Sequence, residues 1–186
     1  CILSTINLGA VKQKEELENL CDLSVRGLEE LIDLQNYPVK AAEISTKARR
    51  SLGIGYIGLA HFMAKNKVKY DSKEGWHLLD EWTEAFQYYL LKASNTLAKE
   101  KGPCSKFDRT KYSDGILPID TYKKDVDSIV KRKLSYDWTN LRKAIKTHGL
   151  RHSTLSAQMP SESSSVVCNE TNGIEPPRDY LSVKKS

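Results

Sequence analysis

The 186-residue chain is predicted to be an α/β protein, rich in helix and containing a few short strands. Apolar residues recur at helical spacing over several long segments, which predicts amphipathic helices. Short extended patterns lie at the start of the chain and after residue 152. Hydrophobic residues make up 39% of the chain and charged residues 28%, a composition typical of a folded globular protein.

The first third of the chain is predicted to alternate between strand and helix. Residues 1–10 are expected to form a short strand followed by a loop. An apolar stripe over 14–36 predicts an amphipathic helix that stops before the next proline, and 39–50 is expected to contain a second helix. Residues 51–66 are predicted to pass from a glycine turn into a further helix.

The longest predicted helix begins near residue 71, with Asp71 as its cap and Glu74 in capping-box position. Gly102 and Pro103 follow in the order that usually ends a helix. A shorter helix is expected from Asp137 to the residue before Gly149.

The last part of the chain has a different pattern. Residues 153–159 alternate between apolar and polar side chains, as a strand does. Pro160 and the serines after it are typical of a helix start. A turn-rich segment follows, and an alternating stretch at 181–186 predicts a final strand. Both chain ends are expected to have been cut from a longer protein.

The net charge of +5 comes from basic residues scattered among 24 acids. This pattern favours a solvated surface over a nucleic-acid footprint. The fold could still gather a basic patch, which would also suit an anionic substrate. The sequence contains neither a transmembrane segment nor a recognisable signal peptide, so a cytoplasmic location is expected.

No metal site is predicted. The four cysteines, at 1, 21, 104 and 168, lack the spacing of paired metal ligands. His148 and His152 are four residues apart, but Gly149 interrupts any helix that would place them on one face. Cys21 and Cys168 are interpreted as packing residues.

Residues 53–58 match the pattern G-x-G-x-x-G. A dinucleotide-binding loop of this kind follows an apolar strand, and the polar residues at 46–51 do not form one. Close packing at a helix start is therefore the favoured interpretation.

The serine cluster at Pro160, Ser161, Glu162, Ser163 and Ser164 has two possible roles. A helix start offers free backbone N–H groups and the positive end of the helix dipole, so it can hold a phosphate. From chemistry alone an ordinary cap is the favoured interpretation, because serine is common at that position. Glu162 suits the dipole but would repel a phosphate, so it is expected to turn aside.

Several segments together resemble the large subunit of class I ribonucleotide reductases, most closely the bacterial and phage type. The resemblance spans essentially the whole chain. It rests on these segments: Cys1-Ile-Leu-Ser-Thr-Ile-Asn-Leu-Gly9, Arg49-Arg-Ser-Leu-Gly-Ile-Gly55, Gly115-Ile-Leu-Pro-Ile-Asp-Thr-Tyr-Lys-Lys124, Lys146-Thr-His-Gly-Leu-Arg151, Met159-Pro-Ser-Glu-Ser-Ser164 and Thr171-Asn-Gly-Ile-Glu-Pro-Pro-Arg178.

The resemblance implies a fold and a reaction. Residues 1–186 would be a helix-rich portion of a ten-stranded α/β barrel, incomplete at both ends. The family reduces ribonucleoside diphosphates to 2′-deoxyribonucleoside diphosphates by thiyl-radical chemistry. By resemblance, Cys1 is one member of the redox-active cysteine pair, and Pro160, Ser161, Glu162, Ser163 and Ser164 bind the substrate phosphates. Cys1 is expected to face this helix tip across a shared cleft.

The resemblance also implies partners outside this chain. The rest of the large subunit would supply the radical cysteine and the ATP and dNTP effector sites. A metal-containing small subunit would supply the radical, and thioredoxin or glutaredoxin the reducing equivalents. No cofactor is expected in the chain itself, and the chain alone is expected to be inactive. The alternative function is a non-enzymatic, mildly basic helical module that binds an anion.

Overall fold

A computed structural model describes residues 2–179; Cys1 and the predicted final strand lie outside the described residues. Strands and helices alternate at the start of the chain, and helices dominate the rest. The elements are β1 (Ile2–Asn7), α1 (Glu16–Leu34), α2 (Lys40–Arg49), β2 (Leu52–Ile57), α3 (Leu59–Lys65), α4 (Lys73–Lys101), α5 (Pro118–Thr121), α6 (Trp138–His148) and α7 (Glu162–Cys168), with 3-10 turns at Leu8–Ala10, Phe107–Arg109 and Lys124–Ser128. The predicted α/β class is confirmed.

The strands β1 and β2 form a parallel pair, in register from Ile2 opposite Leu52 to Asn7 opposite Ile57. Residues 153–158 continue this layer on the other side of β2. The Ile54 N–H donates to the Leu155 carbonyl at 2.8 Å, and a parallel bridge joins Ile54 to Ser156. The predicted extended segment after residue 152 is therefore confirmed. The described residues form this small sheet and no closed barrel.

The glycine-rich segment is a strand, so the prediction of a glycine turn was wrong. Residues 52–57 lie between β1 and the 153–158 segment. The backbones of these two neighbours supply hydrogen-bond partners on both edges, which favours a strand. A Cβ on Gly55 would collide with the Ala157 carbonyl, so glycine allows the third segment to approach. Gly58, with a φ of 74°, is at a helix start, as the N-cap of α3.

Amphipathic helices cover the sheet, as predicted. The face of α1 that carries Leu17, Cys21, Val25 and Ile32 is fully buried, and α1 packs along α4 and against both strands. Because these side chains recur every three or four residues, a single face of α1 provides this contact.

The predicted helix ends are largely correct. The cap of α4 is Ser72 rather than Asp71, because the Ser72 hydroxyl accepts the Gly75 N–H at 3.0 Å. Asp137 caps α6 as predicted, accepting the Asn140 N–H at 2.9 Å. Among residues 2–179, none of the helices combines the length and the apolar character needed to cross a membrane.

Candidate active site

The serine cluster begins helix α7, which confirms the predicted helix start. The 153–158 segment runs beside β2 in the same direction, and α7 follows its carboxyl end. Ser161 is the N-cap residue, and the helix extends from Glu162 to Cys168. The carboxyl ends of parallel strands are where α/β proteins usually place their ligand sites.

Ser161 does not act as an ordinary serine cap. Its hydroxyl donates to the Met159 carbonyl at 3.2 Å and makes no capping hydrogen bond to the helix. Its backbone N–H donates instead to the side-chain oxygen of Asn172 at 2.9 Å. The side chain of the N-cap residue therefore does not close the tip of α7.

The tip of α7 is open to solvent. Glu162, Ser163 and Ser164 are exposed, whereas Ser161 is buried beneath them. The N–H groups in the first turn of a helix have no acceptor within the helix, and this end carries the positive end of the dipole. An anion can therefore approach the backbone and hydroxyl groups of Ser163 and Ser164. Glu162 is also exposed in this turn.

The loop after α7 is attached to the ends of both strands through Glu170. The Glu170 side chain is 8% exposed, and its oxygens lie 2.9 and 3.0 Å from Nδ1 of His61. The Thr171 carbonyl accepts the Gly58 N–H at 2.8 Å. These contacts hold the loop, and hence α7, against the carboxyl ends of β1 and β2.

Two glycines make room for the Glu170 carboxylate. A Cβ on Gly9 would lie 2.6 Å from one Glu170 oxygen, and a Cβ on Gly58 would lie 2.9 Å from the other. Either would force the Glu170 carboxylate to move, since real Cβ atoms do not approach other atoms so closely. The sequence reasoning missed Glu170 and His61. A glycine shortly after the end of each strand was the available signal, because such glycines often mark close approach.

The second predicted part of the site, Cys1, lies outside the described residues. The distance from its sulfur to the Ser163 and Ser164 nitrogens therefore stays a prediction. Ile2, the next residue, begins β1. The Glu170 loop brings the other end of β1 close to the segment that carries α7.

The other cysteines lie in different environments. Cys21 is fully buried in α1, as predicted, and burial raises the pKa of its thiol well above the usual range. Burial also raises the pKa of Cys104. The packing interpretation of Cys168 was wrong, because this residue at the end of α7 is exposed and contributes no buried side chain.

His152 belongs to a buried hydrogen-bond network. Its Nδ1 lies 2.9 Å from the Ser94 hydroxyl and its Nε2 lies 3.0 Å from Glu29. Within residues 2–179, no group of three His, Cys, Asp or Glu side chains is arranged to hold a metal ion.

Comparison with known proteins gives one consistent family. The family model described as the barrel domain of ribonucleotide reductase matches residues 1–186. The ribonucleoside-diphosphate reductase subunit alpha of Haemophilus influenzae is 56% identical over the whole chain, and that of phage T4 is 46% identical over 94% of it. The ribonucleoside-diphosphate reductase 1 subunit alpha of Escherichia coli is 57% identical over 83% of the chain. The chain spans 20–25% of the length of these relatives.

Proposed function

Since this chain belongs to the ribonucleotide reductase barrel-domain family, we propose that it forms one side of the active site of a class I large subunit. The complete enzyme would reduce ribonucleoside diphosphates to 2′-deoxyribonucleoside diphosphates. The open tip of helix α7 is the observation that carries this proposal, because it offers a place for the substrate diphosphate.

The residues from Pro160 to Ser164 form the proposed phosphate site. Pro160 lacks an N–H and precedes the helix, so it loses no helical hydrogen bond. Ser161 fixes the start of the helix through Met159 and Asn172. Ser163 and Ser164 would supply backbone N–H and hydroxyl donors, which bind a charged phosphate more strongly than a neutral acceptor. Glu162 would turn aside from the diphosphate.

Cys1 is the proposed reducing residue, as one member of a cysteine pair whose partner belongs to the rest of the large subunit. One turnover replaces the 2′-hydroxyl by hydrogen and releases that hydroxyl as water. The two thiols together give up two hydrogen atoms and become a disulfide. Thioredoxin or glutaredoxin would then reduce this disulfide by thiol exchange. A cysteine thiyl radical elsewhere in the subunit would take the 3′-hydrogen at the start of turnover. It would return a hydrogen atom to C3′ at the end, which regenerates the radical.

The chain would occupy this role as a portion of the family's ten-stranded catalytic barrel, continuous over residues 1–186. Its parallel strands and the parallel 153–158 segment suit part of such a barrel wall. The metal-containing small subunit would supply the radical, and ATP and dNTP effectors would bind outside this chain. We propose a cytoplasmic enzyme, without a nucleic-acid or membrane partner for this segment.

The phosphate site can be tested by adding a negative charge to the helix tip. In the complete large subunit carrying this segment, Ser164→Asp is expected to raise KM for a ribonucleoside diphosphate by about 10- to 100-fold, with a smaller change in kcat. The reason is that the variant loses the Ser164 hydroxyl as a donor to the phosphate. A hydrogen bond to a charged group contributes roughly 1.5–3 kcal/mol, and a tenfold change in affinity equals about 1.4 kcal/mol. Steady-state reduction assays with the small subunit and thioredoxin measure both constants.

The matched control is Ser45→Asp, which adds the same charge at an exposed position of α2. Its KM should equal that of the unmodified subunit. Equal KM values for both variants and the unmodified subunit would exclude the helix tip as the phosphate site. If the segment were only an anion-binding module, Ser164→Asp would weaken nucleotide binding, but the unmodified complete subunit would form no deoxyribonucleotide.

A further inference from the structure

The charged residue Glu29 is fully buried on the apolar face of α1, one helical turn from Val25 and next to Leu28. Its two carboxylate oxygens accept from three side chains. Arg151 Nε lies 2.6 Å from one oxygen, and Arg50 Nε and His152 Nε2 lie 2.8 and 3.0 Å from the other. A carboxylate is tolerated at such a depth only with this number of partners, because an unpaired buried charge is very costly.

The charges in this cluster are balanced. Arg50 also forms an ion pair with Asp33 at 2.6 Å, so two carboxylates face the two arginines. Burial alone would raise the pKa of Glu29, but donation from His152, Arg50 and Arg151 outweighs it and holds that pKa far below its usual range. Because the Glu29 carboxylate can only accept, the ring Nε2–H of His152 donates to it, and Nδ1 accepts the Ser94 hydroxyl proton. The Ser94 oxygen in turn accepts the backbone N–H of His152.

The donors to Glu29 stand at the beginning of the two extended segments that lead to the proposed site. Arg50 lies two residues before β2, and Arg151 and His152 directly precede the 153–158 segment. Backbone hydrogen bonds join the segments at the same place. The Ser153 N–H donates to the Arg49 carbonyl at 2.9 Å, and the Leu52 N–H donates to the Thr154 carbonyl at 3.1 Å.

If the pairing of neighbouring strands slips by one residue, every side chain of the shifted strand moves to the opposite face of the sheet. Specific contacts must therefore fix the register. Here a single carboxylate joins the start of β2 to the start of the 153–158 segment. Residues 159 and 160 join the other end of this segment to Ser161, where the tip of α7 begins. Any displacement at Glu29 would therefore be passed along residues 153–160 to the helix tip.

We infer that Glu29 is a positioning residue for substrate: through Arg151 and His152 it sets the place of the α7 tip that receives the diphosphate. This inference rests on the proposed function. Glu29 is too deeply buried to touch substrate, so its effect is on where the phosphate donors stand. Loss of the cluster should weaken diphosphate binding more than it slows the chemical steps, because misplacing a binding group by about 1 Å can cost up to a hundredfold.

The test compares two buried carboxylates of the complete large subunit. Glu84 on α4 is also buried and also gathers several donors: Arg132 at 2.6 Å, the Ser135 N–H at 2.9 Å and the Trp138 Nε1–H at 2.9 Å. These donors belong to the 132–138 segment, which helix α6 separates from the 153–158 segment and α7. Glu84→Gln thus measures the general cost of neutralising a buried carboxylate.

Glu29→Gln is expected to raise KM for a ribonucleoside diphosphate about tenfold or more, while kcat changes about twofold or less. Glu84→Gln should lower the thermal unfolding midpoint to a similar degree without changing KM. Glu29→Asp, which keeps the charge, should restore part of the affinity. An equal rise in KM for both Gln variants, or an unchanged KM in Glu29→Gln, would overturn the inference.

Arg151→Lys provides a second measurement if Glu29→Gln fails to fold, since it keeps the positive charge and loses the planar fork. It should raise KM in the same direction, and an unchanged KM would count against the inference. The outcome for Ser164→Asp separates this result from the proposed function. If Ser164→Asp raises KM and the Glu29 and Arg151 variants do not, only the positioning role is lost. If Ser164→Asp has no effect either, the phosphate site itself is wrong.

Discussion

At the scale of single residues, the molecule depends on polar groups placed inside apolar surroundings. Glu29 occupies the same face of α1 as Val25 and Ile32, and that position in a helical stripe was a readable signal. Its partners could not be predicted from the sequence, because Arg50 and His152 lie 21 and 123 positions away. Glu170 is a similar case, since only folding brings it to Gly9 and Gly58.

The His152 side chain predicts a specific pH dependence of stability. Burial lowers its pKa from the ordinary 6.5, although Glu29 acts in the opposite direction. The unfolded chain therefore binds a proton at a higher pH than the folded one, and the free energy of unfolding should fall as the pH drops below 6.5. For one group, this fall is at most about 1.4 kcal/mol per pH unit.

Chemical unfolding of the complete subunit at about pH 7.5 and about pH 5.5 measures this effect. The free energy of unfolding of His152→Asn should lose this part of its pH dependence. At the higher pH it should be lower than that of the unmodified subunit. The exposed His77→Asn provides the control for replacing a histidine. The same pH dependence in His152→Asn as in the unmodified subunit would contradict the prediction.

At the scale of elements, the spacing of apolar residues predicted the helices well. The glycine content of residues 52–57 led to the wrong prediction of a turn where there is a strand. Helices α1, α4 and α6 carry apolar stripes whose spacing identifies them without further information. The segment that forms β2 contains Gly53 and Gly55, which locally favour a turn. It is a strand because β1 and the 153–158 segment bond to its two edges.

Gly55→Ala should loosen this three-segment layer. The added methyl group collides with the Ala157 carbonyl, so the backbones must separate, and overpacking of this kind costs about 1–3 kcal/mol. Hydrogen–deuterium exchange of a peptide covering residues 52–57 should become about tenfold faster, or more, in the complete subunit.

Gly27→Ala is the matched substitution in α1. Gly27 is exposed, and a Cβ there would meet nothing within 4 Å. It should stabilise the helix by about 0.5–1 kcal/mol, because alanine is the better helix former. A Gly55→Ala subunit that exchanges as slowly as the Gly27→Ala subunit would show that the close approach at Ala157 is unimportant.

At the scale of the whole molecule, the described residues contain one phosphate-binding candidate, and the proposed function assigns the rest of the active site to other parts of the large subunit. The relatives are about four times longer than this chain, which covers 24% of several of them. The predicted radical cysteine, the second redox cysteine and the effector sites all fall outside it.

The isolated 186-residue chain is therefore expected to form no deoxyribonucleotide when the small subunit, substrate and reductant are supplied. The reason is stoichiometric, since a single member of a cysteine pair has no partner with which to form the disulfide. Chromatographic measurement of deoxyribonucleoside diphosphate tests this, with a complete large subunit as the positive control. Product formed by the isolated chain would show that the assignment of the missing parts is wrong.

The sequence by itself determined the α/β class, most helix boundaries, the family and the candidate phosphate residues. These depend on local spacing and on short motifs in a fixed order, which can be recognised without knowledge of the fold. Only the tertiary structure decided that residues 52–57 form a strand, that Ser161 leaves the α7 tip uncapped, and that Glu29 and Glu170 tie distant segments together. The strand and the two glutamates depend on partners far apart in the chain, and such contacts arise when burial brings unsatisfied polar groups together. The open α7 tip depends on hydrogen bonds of Ser161 to Met159 and Asn172, which are 2 and 11 positions away.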